Sequence, residues 1–209
     1  MNYAVNAALF ASITILPVIV ERILKQNHKK KLIELKSEKN DYYHEIVFIN
    51  MKNFDCRLHL IKRYECGDFC SAVHYKRFKN FMLSAKKSIS ICMYMMTFEE
   101  IAELLIRAHI RGIKVRVLMD LIMSETKESK YTFLKKAGIP IKCGAKMEMM
   151  HHKFCLLDEE DSNLGKIMFG SLNLTNQAFS RNFDMTVYSN NSNIISRFSD
   201  EFEDLWSYL

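Results

Sequence analysis

From His74 to the C terminus, apolar residues switch repeatedly between a period of two and a helical period, and this alternation confines the chain to an α/β fold. Phe78, Phe81, Met82 and Ala85 share a helical face, after which Ile89, Ile91, Met93 and Met95 line one side of a strand. Thr97 stands in capping-box spacing to Glu100, ahead of a helical stripe of Ile101, Leu104, Leu105 and Ala108 that stops at Gly112. Val115, Val117 and Met119 predict a strand, Tyr131 to Ala137 a short helix, and Ile139 to Cys143 an extended run. Further strands are expected at Met149 to Leu157, Ile167 to Gly170 and Phe183 to Ser189. A closing helix follows, with Ile194, Ile195, Phe198, Phe202, Leu205 and Trp206 on one side. The expected architecture is a mixed β-sheet covered by helices on both faces.

The 209 residues are 49% hydrophobic, too apolar for a disordered chain and long enough for one domain with its own core. Six unevenly spaced cysteines argue for a reducing compartment or a metal site rather than a disulfide framework. The formal charge of +6 favours anionic partners without choosing among nucleic acid, lipid headgroup and nucleotide. Tyr3 to Val20 carries no charge and is followed by Arg22, Lys25 and Lys29 to Lys31, so residues 1–20 are expected to form a membrane signal-anchor with the remainder on the cytosolic side. Residues 21–45, rich in Lys and Glu, are expected to form a basic helical stalk, leaving 46–209 as the main folded domain.

The chemistry concentrates in His151-His152-Lys153-Phe154-Cys155-Leu156-Leu157-Asp158, followed by Gly170-Ser171-Leu172-Asn173. On a strand His151 and Lys153 project from one face. A neutral imidazole can attack phosphorus, an ammonium can offset charge on the non-bridging oxygens, and Ser171 and Asn173 can add donors from a turn that glycine permits. Asp158 falls on the opposite parity and is assigned a structural role, and the acidic loop after it, with Glu159, Glu160 and Asp161, is read as an exposed hairpin. Cys56, Cys66, Cys70 and His74 are borderline-soft ligands suited to tetrahedral zinc, and the last three sit at helical spacing; His59 is a spare ligand. Lys76, Arg77, Lys79, Lys86, Lys87, Arg107, Arg111, Lys114 and Arg116 are read mostly as solvated helix faces, with Tyr75, Phe78 and Phe81 as core.

His151-x-Lys153-x4-Asp158 with Gly170-Ser171-x-Asn173 resembles the HKD signature of the phospholipase D superfamily. With one motif copy, a short chain, an apolar N terminus and a cysteine cluster, the chain is similar to the Zucchini group of mitochondrial phospholipase D-like endonucleases. That resemblance implies a homodimer with a shared active site and a phosphohistidine intermediate formed without a catalytic metal. It implies His151 as nucleophile, Lys153, Ser171 and Asn173 as phosphate ligands, and Asp184, in Asn182-Phe183-Asp184, in place of the family's glutamate that orients the histidine. It also implies structural zinc in a finger-like insertion over 56–74. The leading expectation is a membrane-anchored, single-strand-specific endoribonuclease of the piRNA pathway on the mitochondrial outer membrane, leaving 5′-phosphate ends and working with piRNA-pathway proteins. The alternatives are a cardiolipin or phosphatidyl hydrolase that makes phosphatidic acid, and a weakly active RNA- or partner-binding scaffold. An apolar collar around the site would favour lipid, and a narrow basic cleft RNA.

Overall fold

The computed structural model describes residues 18–28, 42–144 and 147–209, without the side chains of Met51 and Asn53. It separates into two units, Met1–Asp41 and Tyr42–Leu209. In the first, residues 18–28 are helical (α1). Most of the expected anchor lies outside the described residues, as does the middle of the stalk. Among the described residues no helix is long and apolar enough to cross a membrane.

The second unit is built on a seven-stranded sheet in the order β1-β7-β6-β5-β2-β3-β4. Its strands are β1 (His44–Ile49), β2 (Ser88–Met93), β3 (Lys114–Met119), β4 (Ile141–Cys143), β5 (Lys153–Leu157), β6 (Lys166–Gly170) and β7 (Asp184–Ser189). β2, β3 and β4 run parallel, while β5, β6, β7 and β1 alternate antiparallel from β2 outward, so the sheet is mixed, as the alternation predicts. The helices are α2 (Arg57–Lys62), α3 (Ser71–Leu83), α4 (Glu99–Ile110), α5 (Leu121–Ser124), α6 (Tyr131–Lys136), α7 (Asn176–Ser180) and α8 (Ser192–Tyr208).

Strand parity separates two cores. Ile89, Ile91, Val115, Val117, Cys155 and Met168 pack with Phe78, Ile101, Leu105, Leu134 and Phe179 from α3, α4, α6 and α7. Phe154, Leu156, Ile167 and Leu118 pack with Ile195 and Phe202 from α8 on the other face. Helices therefore cover both faces, as expected.

Four local expectations need correction. The stalk was expected to reach residue 45, but His44 and Glu45 already belong to β1. The Thr97–Glu100 capping box does not form: the N-cap of α4 is Phe98, because Thr97 and Phe98 give their N–H groups to the Leu174 carbonyl. The strand expected from Met149 begins only at Lys153, the last point opposite β2. The acidic loop after Asp158 was read as an exposed hairpin, yet the Glu159 carboxylate is buried, accepting from the Ser88 and Ser90 hydroxyls with the Arg116 guanidinium 3.5 Å away.

Asp158 has the structural role that its parity suggests. It is buried, with φ of 51°, and its carboxylate accepts the N–H groups of Lys86, Lys87 and Ser88 at 2.6–3.1 Å, fixing the entry to β2. Asp158→Ala leaves three backbone donors without that acceptor and is expected to lower unfolding free energy by about 3 kcal/mol, measurable by urea denaturation.

Candidate active site

The antiparallel run β5–β6–β7 brings the start of β5, the end of β6 and the start of β7 to one end of the sheet. Lys153 opens β5, Gly170 closes β6 and Asp184 opens β7. Lys153 shares parity with Cys155 and Leu157, and Asp184 shares parity with Tyr188, all on the α3/α4/α7 face. His151 stands just before β5, exposed, with its ring edge-on to Tyr94 at 4.6 Å between centroids. Asp158, at the opposite end of β5, is about 17 Å along the strand from Lys153 and lies outside this group.

Lys153 is buried, and its ammonium donates to the His151 carbonyl at 2.8 Å while lying 5.0 Å from the Tyr94 ring centroid. Burial, the largest influence, pulls its pKa below the ordinary lysine value, and the Asp184 carboxylate works against that pull. A desolvated ammonium beside an exposed imidazole is suited to a phosphoryl group, whose oxygens supply the missing negative charge.

Ser171 is held from two sides: its hydroxyl donates to Asp184 Oδ1 at 2.6 Å and accepts the Met185 N–H at 3.0 Å. Its expected donation to phosphate therefore requires exchange of the Asp184 bond. Asp184 was expected to orient His151, but no hydrogen bond joins the two; Asp184 Oδ2 and Asn173 Oδ1 are buried without a partner. The turn carrying Ser171 and Asn173 is pinned where Leu174 gives its N–H to the Met95 carbonyl and takes two N–H groups in return. Gly170 has a φ of 154° that side-chain-bearing residues rarely adopt.

Tyr94 is the residue that the sequence reading missed. It follows the last residue of β2, gives its N–H to the His152 carbonyl at 3.1 Å, and sets one ring against both His151 and Lys153. Its position off the apolar parity of β2 was the available signal. Tyr94→Phe is expected to retain kcat within about twofold, whereas Tyr94→Ala lowers it about tenfold, through loss of the ring contacts. Steady-state kinetics on a soluble diester separates the two.

A second cluster lies in the 56–70 segment. Donor atoms of Cys56, His59, Cys66 and Cys70 all fall within 4.8 Å of one another. Cys56 Sγ is 3.2 Å from Cys66 Sγ, and Cys70 Sγ is 3.5 Å from His59 Nδ1. The fourth corner is thus His59 and not the expected His74. The helical-spacing argument fails because Cys70 is the extended N-cap of α3 (ψ 136°), so Cys66 and Cys70 precede the helix that His74 occupies. His74 instead places Nδ1 3.4 Å from Arg77, and burial first, then the Arg77 charge, pushes its pKa down to about 4.

An imidazole, a buried ammonium and a Gly-Ser-x-Asn turn at one end of a mixed sheet define a site of the phosphoryl-transfer class. The chain belongs to the family described as "Cardiolipin synthase, PLD-like domain", which matches residues 78–206, a phospholipase D superfamily domain. Among curated relatives it is similar to the "Mitochondrial cardiolipin hydrolase" of Chlamydomonas reinhardtii, 27% identical over 146 residues, covering 69% of this chain and 63% of the relative. The protein of that name from Mus musculus is 28% identical over 141 residues, covering 66% and 62%. The match thus spans less than two thirds of those relatives' length. That of Drosophila melanogaster is 23% identical over 223 residues, covering 93% and 88%. The solved structure of the phospholipase D family member Nuc from Salmonella typhimurium superposes with a TM-score of 0.63 at 19% identity, covering 80% of this chain and 95% of that one. NucT from Helicobacter pylori gives 0.62 at 18%, covering 80% and 97%. These two likenesses show the fold.

Proposed function

We propose that the protein hydrolyses phosphodiesters in two steps at a site completed by a second copy of the chain. His151 attacks phosphorus, a phosphorus–nitrogen bond forms, and the leaving oxygen takes a proton from His151 of the partner subunit. Water then attacks the phosphohistidine, gives its proton to that same partner histidine, and frees His151. In this mechanism Lys153 and Asn173 hold the phosphoryl oxygens, and Asp184 takes an imidazole N–H on its unpartnered Oδ2. The observation that carries this reading is the convergence of Lys153, Ser171 and Asp184 from three adjacent strands beside His151.

For the substrate, the walls favour a membrane phospholipid of the cardiolipin class. The hollow beside His151 is lined by Met149, Met150, Leu205, Tyr208 and Leu209, with Glu148 and, among the described residues, no Lys or Arg. Such a wall suits acyl chains. The names of the relatives agree with a hydrolase of this kind and with a mitochondrial location, and we place the protein on the outer membrane with its catalytic unit facing the cytosol. The second reading, a single-strand endoribonuclease of the piRNA pathway, rests on the single motif beside the Cys/His cluster. The deciding experiment offers the full chain cardiolipin vesicles and labelled single-stranded RNA in excess EDTA. Release of phosphatidic acid with intact RNA is expected; cut RNA with intact cardiolipin reverses the order, and neither product from folded protein leaves the scaffold reading.

Three thiols and an imidazole are a donor set that fits structural zinc, held by Cys56, His59, Cys66 and Cys70, bracing the segment between β1 and α3. Prolonged phenanthroline treatment is expected to lower the melting temperature by about 5 °C or more, and zinc to restore it.

A further inference from the structure

Several large apolar side chains near the site face solvent. Leu58 and Ile61, one turn apart on α2, are 50% and 68% exposed, while Leu60 between them is buried in the core. They share a groove with Arg57 and with Asn176, Gln177, Ser180 and Arg181 of the α7 region. Phe183, 70% exposed, packs edge-on against Phe54 at 5.6 Å, which joins the segment leading into α2 to the rim of the active site, one residue from Asp184. Arg57, Lys62 and Arg181 are exposed and make no ion pair among the described residues.

We infer that Leu58, Ile61 and Phe183, flanked by Arg57, Lys62 and Arg181, form a docking surface for an anionic membrane. Aliphatic side chains at i and i+3 on a short helix, ringed by unpaired cations, match the acyl boundary below and the lipid phosphates above. Leu58 and Ile61 have no π-face, which leaves Phe183, its ring edge-on to Phe54, as the one ring of the three on which a nucleic-acid base could stack. Contact through this surface sets the mouth of the His151 site against the bilayer. The inference is independent of which phosphodiester is cut.

The test is amide hydrogen exchange on the full chain with vesicles of phosphatidylcholine alone, vesicles with added phosphatidylglycerol, or poly(U) RNA. Exchange across 57–62 and 181–184 is expected to slow about tenfold on the anionic vesicles only. The slowing should disappear in the Leu58→Ser, Ile61→Ser double variant, whose melting temperature reports its fold. Should that variant melt early, the charge-reversed Arg57→Glu, Arg181→Glu pair replaces it. Equal slowing on neutral vesicles, slowing by poly(U) in place of vesicles, or no slowing at all would overturn the inference.

Discussion

His151→Ala is expected to lower phosphodiester turnover at least about ten-thousand-fold while leaving the melting temperature within a degree or so of wild type. The two halves of this expectation come from different features. The imidazole is exposed, and its side-chain contact is the edge of Tyr94, so truncation removes little packing. The chemistry, by contrast, has no second nucleophile at that place: the neighbouring His152 is turned toward α8, 3.0 Å from Glu201. Initial rates on bis(p-nitrophenyl) phosphate, with trapping of an acid-labile phosphoenzyme from a labelled diester, measure both the loss and its cause. Retention of one hundredth of the wild-type rate, or a phosphoenzyme in the variant, would assign the nucleophile elsewhere.

Gly170→Ala is the other large effect, and it is structural. A Cβ at this position would sit 3.0 Å from Met185 C and Thr186 Cα and closer still to the Met185 carbonyl oxygen. All of these are backbone atoms of the paired strand β7, so no side-chain rotation relieves the clash. The backbone angle adds strain for any side-chain-bearing residue. The expected cost is about 4 kcal/mol or more, read as a lower urea midpoint, and the Ser171–Asp184 contact should loosen with it. An unchanged midpoint would mean that β6 and β7 separate at this end without penalty.

The sequence carried the central sheet well because the strands β2, β3, β5 and β6 are buried by helices from both sides, which forces apolar runs bounded by turns. β1 was not legible: it is an edge strand, with Ile46 and Phe48 about 60% exposed, and its residues followed directly on a Lys- and Glu-rich tract. The clustering of the residues proposed to hold phosphate was readable because their spacing is short and parity on a strand is fixed. Asp184 was placed correctly at the start of β7, but its bond to Ser171 depends on rotamers that no spacing encodes. His59 lost to His74 on paper because helical spacing was assumed across a helix start. Glu159 looked solvated because its partner Arg116 lies far away in sequence, on β3. Tyr94 was passed over because an aromatic just past an apolar strand carries no motif, and its parity alone names no role.

The placement of Lys153, Ser171 and Asp184 at the ends of consecutive antiparallel strands has an evolutionary consequence. Their mutual positions are set by backbone ladder register, so the connection between β5 and β6 is free to lengthen without disturbing them. A single-residue insertion inside β5 would instead rotate Lys153 to the α8 face and dismantle the group. Lineages of such chains should therefore accumulate length changes in their loops and almost none within these three strands.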